Sequence, residues 1–172
     1  SALLNNKNHG SYIDDAIQHI LTQSYTNFEL IIGDGASTDQ TLEVVKKYED
    51  DDRVLLISEP DEHGHAAWNK LIRLAKGHII IVCSPTDTIL RGAFQGAVNE
   101  FLIDSRLAMV GGSMKYLRDD GTDYGKIDQI CAEPKQLTLD EIVCFSQSPI
   151  QSTFFRRDLI QIAGVFDLDH RS

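Results

Sequence analysis

The stretch Phe28-Glu29-Leu30-Ile31-Ile32-Gly33-Asp34-Gly35-Ala36-Ser37-Thr38-Asp39 passes within a few positions from apolar residues to acids, glycines and hydroxyls. Its first part is too short and too apolar for a surface helix and reads as a buried strand over residues 28–32. Asp34-Gly35-Ala36-Ser37 then turns the chain, and Ser37 with Gln40 has the form of a capping box opening a helix that reaches about Tyr48, with Leu42 and Val45 inward. An acidic, glycine-containing loop between a buried strand and a helix start marks a ligand site in an α/β domain.

The same alternation runs outward in both directions. Upstream, residues 1–4 read as a strand, and Ser11 with Asp14 as a capping box before a helix whose Ile13, Ala16, Ile17, Ile20 and Leu21 share one face. Downstream, strands are expected at 54–57, 78–83 and 107–111, and helices at 65–76 and 93–103, with Gly77 closing the first of these helices. This β-α-β-α order predicts a mostly parallel sheet covered by helices through right-handed crossovers. Beyond Ser113 the pattern loosens: a hairpin turn at 119–122, a short helix at 138–145, a strand at 152–155 and a helix at 157–163.

The chain has 172 residues, enough for one domain with a substantial core, and its 42% apolar and 24% charged content is that of an ordinary globular protein. A net charge of −10 repels phosphate backbones, so nucleic acid is not an expected partner. Cys83, Cys131 and Cys144 are odd in number, far apart and in no CxxC pair, which predicts reduced thiols in a reducing, cytoplasmic setting. No apolar run approaches the ~20 residues that span a bilayer, and no signal peptide is expected. The abrupt start within a strand and the stop after Asp169-His170 are expected of a piece of a longer protein.

Parallel sheets bind ligands beyond the carboxyl ends of their strands. Here those ends are Asn5, Asn6 and Asn8; Asp34; Glu59-Pro60-Asp61; and Ser84-Pro85-Thr86-Asp87. All four are polar and three carry carboxylates, donors suited to Mg²⁺ or Mn²⁺ bridging to a diphosphate. A dinucleotide-dehydrogenase fingerprint fails. Gly33 and Gly35 give G-x-G, but Thr38 holds the third glycine position, and Asp34 puts negative charge where a pyrophosphate would need bare backbone.

Residues 27–41, from Asn27-Phe28-Glu29 through Asp34-Gly35-Ala36-Ser37-Thr38-Asp39 to Thr41, closely resemble the nucleotide-sugar-binding segment of family 2 glycosyltransferases, which have the GT-A fold. The resemblance continues in order along the chain: residues 17–25, Glu59-Pro60-Asp61 with Ala67-Trp68-Asn69-Lys70, residues 75–80, residues 152–157 and Ala163-Gly164-Val165-Phe166-Asp167. It implies a three-layer α/β/α sandwich with a mostly parallel central sheet. Residues 1–112 would be the nucleotide-sugar-binding half, and 113–172 the start of an incomplete acceptor-side half.

Carried over residue by residue, the resemblance gives Asp34 the nucleotide base or ribose, supported by Asn5 and Asn8. It places Asp61 and Asn69 near the diphosphate or donor sugar. The family usually has an Asp-Asp-Gly-Ser run here, so Gly35 stands where a second acid is expected. Its metal loop is Asp-x-Asp-Asp or Asn-x-Asp-Asp; here Ser84 and Thr86 replace the first and central acids, leaving Asp87 as the metal ligand. Either Asp87 and the diphosphate hold Mg²⁺ or Mn²⁺ loosely, or His63, His65 or Lys70 neutralises the leaving group without metal. Asp61-x-His63-x-His65 is a further, weaker metal pattern. The family's catalytic base lies beyond the Phe166-Asp167 segment, so Asp167 and Asp169 are candidates only by proximity. The expected reaction is inverting sugar transfer from a nucleotide-diphosphate sugar to a saccharide or lipid-linked acceptor in cell-surface polysaccharide synthesis. Attachment at the inner face of the membrane through missing segments, and a homo-oligomer, are compatible with it. The altered acids leave open an alternative, a degenerate domain that binds nucleotide or a protein partner without turnover.

Overall fold

The computed structural model describes residues 1–61, 64–118, 121–128 and 150–166. Six strands form one sheet in the order β3 (Val54–Ser58), β2 (Leu30–Asp34), β1 (Ala2–Asn6), β4 (Ile79–Cys83), β8 (Thr153–Arg156), β5 (Met109–Gly111). The first four are parallel, and β8 runs antiparallel between β4 and β5. β6 (Met114–Leu117) and β7 (Asp123–Asp128) pair separately as an antiparallel hairpin, with Gly121 at positive φ in the connection.

The period of two along each strand divides the apolar residues between two cores. Ala2, Leu4, Leu30, Ile32, Ile81 and Cys83 face one way, onto Ile13, Ile17 and Ile20 of α1 (Ile13–Leu21), Val45 of α2 (Thr41–Val45) and Phe94, Ala97 and Phe101 of α4 (Ala93–Ile103). Leu3, Ile31 and Ile80 face the other way, onto Leu71 and Ile72 of α3 (Gly64–Leu74). The chain steps from β1 to β2 to β3 with its helices on the first face, then returns across the sheet to β4 with α3 on the second. Right-handed crossovers require that exchange of faces when the direction of travel reverses. The result is the expected three-layer sandwich, and its switch point lies between β1 and β4.

Local expectations shift in instructive ways. β2 begins and ends two residues later than expected, so Gly33 and Asp34 lie inside the ladder, opposite Asn5 and Asn6. Neither capping box forms. α1 starts at Ile13 without a side-chain cap, while Asp14 accepts from Gln18 at 3.0 Å and from the Tyr48 hydroxyl at 2.9 Å. α2 spans only Thr41–Val45 before a 3₁₀ turn, because Ser37 is drawn back to Asp34 and Asp39 accepts the Thr41 amide at 2.9 Å. Gly77 lies three residues past the end of α3, and its amide bonds the Ser1 hydroxyl at 2.9 Å instead of capping. The helix Leu159–Ala163 is shorter than expected, and Gly164 at φ 82° turns the chain out of it. The helix expected at 138–145, Cys131, Cys144, His63, Asp167 and Asp169 lie outside the described residues. Cys83 is fully buried, and burial raises its thiol pKa, in keeping with a core role. Among the described residues no helix is long and apolar enough to cross a membrane.

Candidate functional site

The carboxyl ends of β1 and β2 are tied into one loop cluster by side chains that the sequence places immediately after them. The Asn8 amide donates to Ser37 Oγ at 2.8 Å, and Asn8 Oδ1 accepts the Thr38 amide at 2.8 Å. The amides of His9 and Gly10 bond Thr41 Oγ1 and Asp39 Oδ2, each at 3.0 Å. Asn8 sits at φ 58°, a left-handed conformation that asparagine tolerates better than most residues. Asn8 therefore supports the Asp34 loop by building it.

Asp34 ends β2 with only 1% of its surface exposed. One carboxylate oxygen accepts the Ser37 amide at 3.0 Å and the Ser58 hydroxyl at 2.8 Å; the other accepts the Ser37 hydroxyl. Ser37 was within reach of sequence reasoning, since a hydroxyl and amide three residues beyond an Asp make a recurrent turn. Ser58 was not, because its place depends on the β2–β3 register that sets it opposite Asp34. Asn6, opposite Asp34 on the other side, donates to the Gly33 carbonyl at 2.9 Å. The side-chain oxygens of Asn5 and Asn6 and Nδ1 of His9 are buried without a hydrogen-bond partner among the described residues. Since buried polar atoms are seldom left unpaired, the end of β1 carries unused hydrogen-bonding capacity.

Gly35 is closely flanked on two sides. A Cβ there would lie 3.3 Å from Asp61 Oδ2 and 3.3 Å from Lys7 Cδ. The space of a second acid is thus already flanked by the Asp61 carboxylate and the Lys7 stem. Lys70, on α3, reaches Glu59 at 2.6 Å and Asp61 at 3.8 Å, so the β3 loop and α3 are joined by charge at this edge. Ala36 follows at φ 56°, where a Cβ is strained. Ala36→Gly is expected to stabilise the protein by about 0.5–1 kcal/mol, read as a rise in the urea midpoint at unchanged m-value.

The loop after β4 offers a divalent ion a single carboxylate, Asp87. Ser84 Oγ and Thr86 Oγ1 are hydrogen-bonded to each other at 3.0 Å, and Asp87 Oδ2 turns back to accept the Ser84 amide at 3.3 Å. Burial raises the Asp87 carboxyl pKa despite that bond. One carboxylate beside two neutral hydroxyls is a poor set for a hard cation, which prefers several oxygen donors including carboxylates. Among the described residues no group of three or more His, Cys, Asp or Glu side chains could hold a metal. Asp61 is therefore not joined by His65 in a described metal cluster; His65 stacks on Phe166 instead, with ring centroids 5.6 Å apart.

Asn69 differs most from expectation. It is 2% exposed, and both its amide atoms are bonded to the backbone of Phe166, whose carbonyl accepts from Nδ2 and whose amide donates to Oδ1, each at 2.8 Å.

An open, mostly parallel sheet with helices on both faces and polar loops gathered at its switch point defines the class of α/β domains that bind ligands at strand ends. The chain belongs to glycosyl transferase family 2, whose model matches residues 1–162. It is 28% identical over 140 residues to the glycosyltransferase GlyG of Streptococcus pneumoniae, covering 79% of this chain and 46% of that protein. It is 28% identical over 132 residues to TuaG of Bacillus subtilis, described as a teichuronic acid biosynthesis glycosyltransferase, covering 76% of this chain and 51% of that one. The chain thus spans about half the length of these curated relatives. In fold it is similar to S. aureus TarS in complex with UDP-GlcNAc, with a TM-score of 0.79 at 19% identity over 96% of this chain and 48% of that one. A mannosyltransferase of Pyrobaculum calidifontis, in complex with GDP-Man and Mn²⁺, gives a TM-score of 0.69 at 20% identity over 98% of this chain and 47% of that one.

Proposed function

We propose that this chain is the donor-binding part of an inverting glycosyltransferase that takes a nucleotide-diphosphate sugar. The observation that carries the reading is the joining of the β1, β2 and β3 ends around Asp34, Gly35 and Asp61 in a chain of this family. The printed ligands of the neighbouring folds, UDP-GlcNAc and GDP-Man, support a donor of this kind. The curated relatives support a role in cell-surface polysaccharide synthesis, and the acceptor in this reading is a saccharide or a lipid-linked glycan.

In this reading the Asp34 loop receives the base or ribose, with Asn5 and Asn8 beside it. The Gly35–Asp61 edge and the loop of Ser84, Thr86 and Asp87 face the diphosphate and sugar. Lys7 and Lys70 provide cationic charge at this edge. A carboxylate removes the proton of the acceptor hydroxyl. Its oxygen forms the new bond to the anomeric carbon, and the nucleoside diphosphate leaves from the opposite face with the electron pair of the broken bond. Asp167 and Asp169 remain candidates for that base only by proximity.

Calorimetry with UDP, GDP and dTDP, with and without Mn²⁺, tests the proposal: one nucleotide is expected to bind, and binding of none would reject it. The Ser84 and Thr86 hydroxyls favour a second reading, a domain that keeps nucleotide binding after losing the metal-supported step. Thr86→Asp separates the two. At least a tenfold gain in Mn²⁺-dependent nucleotide affinity would favour degeneration from a metal-dependent ancestor, since a second carboxylate completes a hard-cation donor pair. No gain would mean that the native loop works without the ion.

A further inference from the structure

A polar side chain in the middle of a buried helix face is costly unless its hydrogen bonds are made, and asparagine is also a weak helix former. Asn69 sits in α3 one turn before the buried Ile72, on the same side of the helix, and is itself buried. Both of its hydrogen-bonding functions go to one residue 97 positions away. Nδ2 donates to the Phe166 carbonyl and Oδ1 accepts from the Phe166 amide, both at 2.8 Å. The pairing copies the two-bond exchange between residues of neighbouring antiparallel strands, made here by a side chain. One turn earlier on the same helix, His65 lays its ring over that of Phe166, with an interplanar angle of 12°. α3 therefore holds Phe166 by backbone and by ring, directly after Gly164 has turned the chain out of the helix Leu159–Ala163.

The neighbour of Asn69 on α3 is Lys70, which carries the ion pairs to Glu59 and Asp61. Adjacent residues of one helix thus bind the donor-side acids and the chain that leads into Asp167. We infer that Asn69 is a positioning residue: it fixes the backbone at Phe166, and with it the start of the acceptor-side segment, to the helix that borders the donor site. It does not touch the donor. The acceptor-side meaning rests on the glycosyltransferase reading; the tether itself does not.

Amide exchange in the ¹⁵N-labelled chain separates these roles. In the parent protein the Phe166 amide is expected to be protected, and Asn69→Ala should reduce that protection by about tenfold, the loss of roughly one net hydrogen bond. Asn69→Asp supplies a pH readout. A protonated carboxyl offers one donor and one acceptor, as the amide does, whereas the carboxylate opposes the Phe166 carbonyl. Protection corrected for intrinsic exchange should approach the parental value at low pH and fall as pH rises, with no such trend in the parent. Nucleotide affinity should stay within twofold in both variants.

The inference is overturned if Phe166 protection survives Asn69→Ala, if Asn69→Asp shows no pH dependence, or if Asn69→Ala weakens nucleotide binding while Phe166 stays protected. Should the variants fail to fold, a through-hydrogen-bond scalar coupling between the Phe166 amide and the Asn69 side-chain carbonyl in the parent decides the point, and its absence rejects the tether. Should no nucleotide bind the parent, the donor reading fails while the exchange data still judge Asn69.

Discussion

Asp34→Ala is expected to remove about 3 kcal/mol of folding stability, because it strands several partly buried donors at once. The Ser37 amide, the Ser37 hydroxyl and the Ser58 hydroxyl all end on this carboxylate, and β-sheet neighbours on both sides exclude water from it. Urea unfolding measures the loss. Nucleotide binding should vanish under conditions where the variant is still folded, as confirmed by far-UV circular dichroism. Asp34→Asn can keep its oxygen toward the Ser37 amide and the Ser58 hydroxyl and turn its NH₂ to the Ser37 hydroxyl oxygen, so it should cost less stability while still lowering nucleotide affinity. If Asp34→Ala binds nucleotide as tightly as the parent, Asp34 is a structural bracket for the loop and the base contact must be sought elsewhere.

The second large effect concerns the position where the family usually has another acid. Gly35→Asp is expected to destabilise the protein by about 1–2 kcal/mol. Two carboxylates ~4 Å apart repel by roughly 4 kcal/mol at an effective dielectric of 20, before exposure and nearby lysines reduce the figure. The repelling partner is Asp61, whose carboxylate already lies beside the Cβ position, with the Lys7 stem across from it. Combining Gly35→Asp with Asp61→Asn should recover at least about 1 kcal/mol more than additivity allows, the coupling expected of groups in contact. Strict additivity in the double-mutant cycle would show that Asp61 is not what keeps this position free of an acid.

These two cases show how legibility varied along the chain. The succession of strands and long helices followed from local periodicity, whereas the order of strands in the sheet did not; the two-residue alternation within each strand sorts Leu3 from Leu4 and Ile31 from Ile32. The bounds of Ala93–Ile103 matched the expectation, and at its start Gln23 Oε1 accepts the Gly92 and Phe94 amides without displacing the helical pattern. The capping box at Ser37 failed because its hydroxyl accepts the Asn8 amide and donates to Asp34, while the amide of Thr41, where the helix opens, is taken by Asp39. Asp34 was recognisable from its place at a strand end, but its partner Ser58 depends on register. Asn69 was singled out through the family resemblance of residues 67–70, whereas its bonds to Phe166 were not legible, because nothing local specifies a partner 97 positions away. The strand expected at 152–155 forms one residue later, at Thr153–Arg156, yet its antiparallel insertion is set by pairing with residues far away in sequence.

That insertion bears on how the molecule is assembled. β4 receives β1 on one side, but its other neighbour, β8, is made more than seventy residues later, and Phe154 must dock against Phe94 to complete the first core. Until then the edge of Ile79–Cys83 carries open backbone donors and acceptors beside a run of isoleucines, a pattern prone to pairing with other chains. Arg156 then closes the join, donating to the Leu107 carbonyl at 2.7 Å and the Ser105 carbonyl at 3.1 Å. Sequence-distant pairing of this kind slows folding. On the ribosome, the nascent chain therefore carries an adhesive strand edge from the emergence of β4 until β8 arrives, an interval in which chaperone contact matters most.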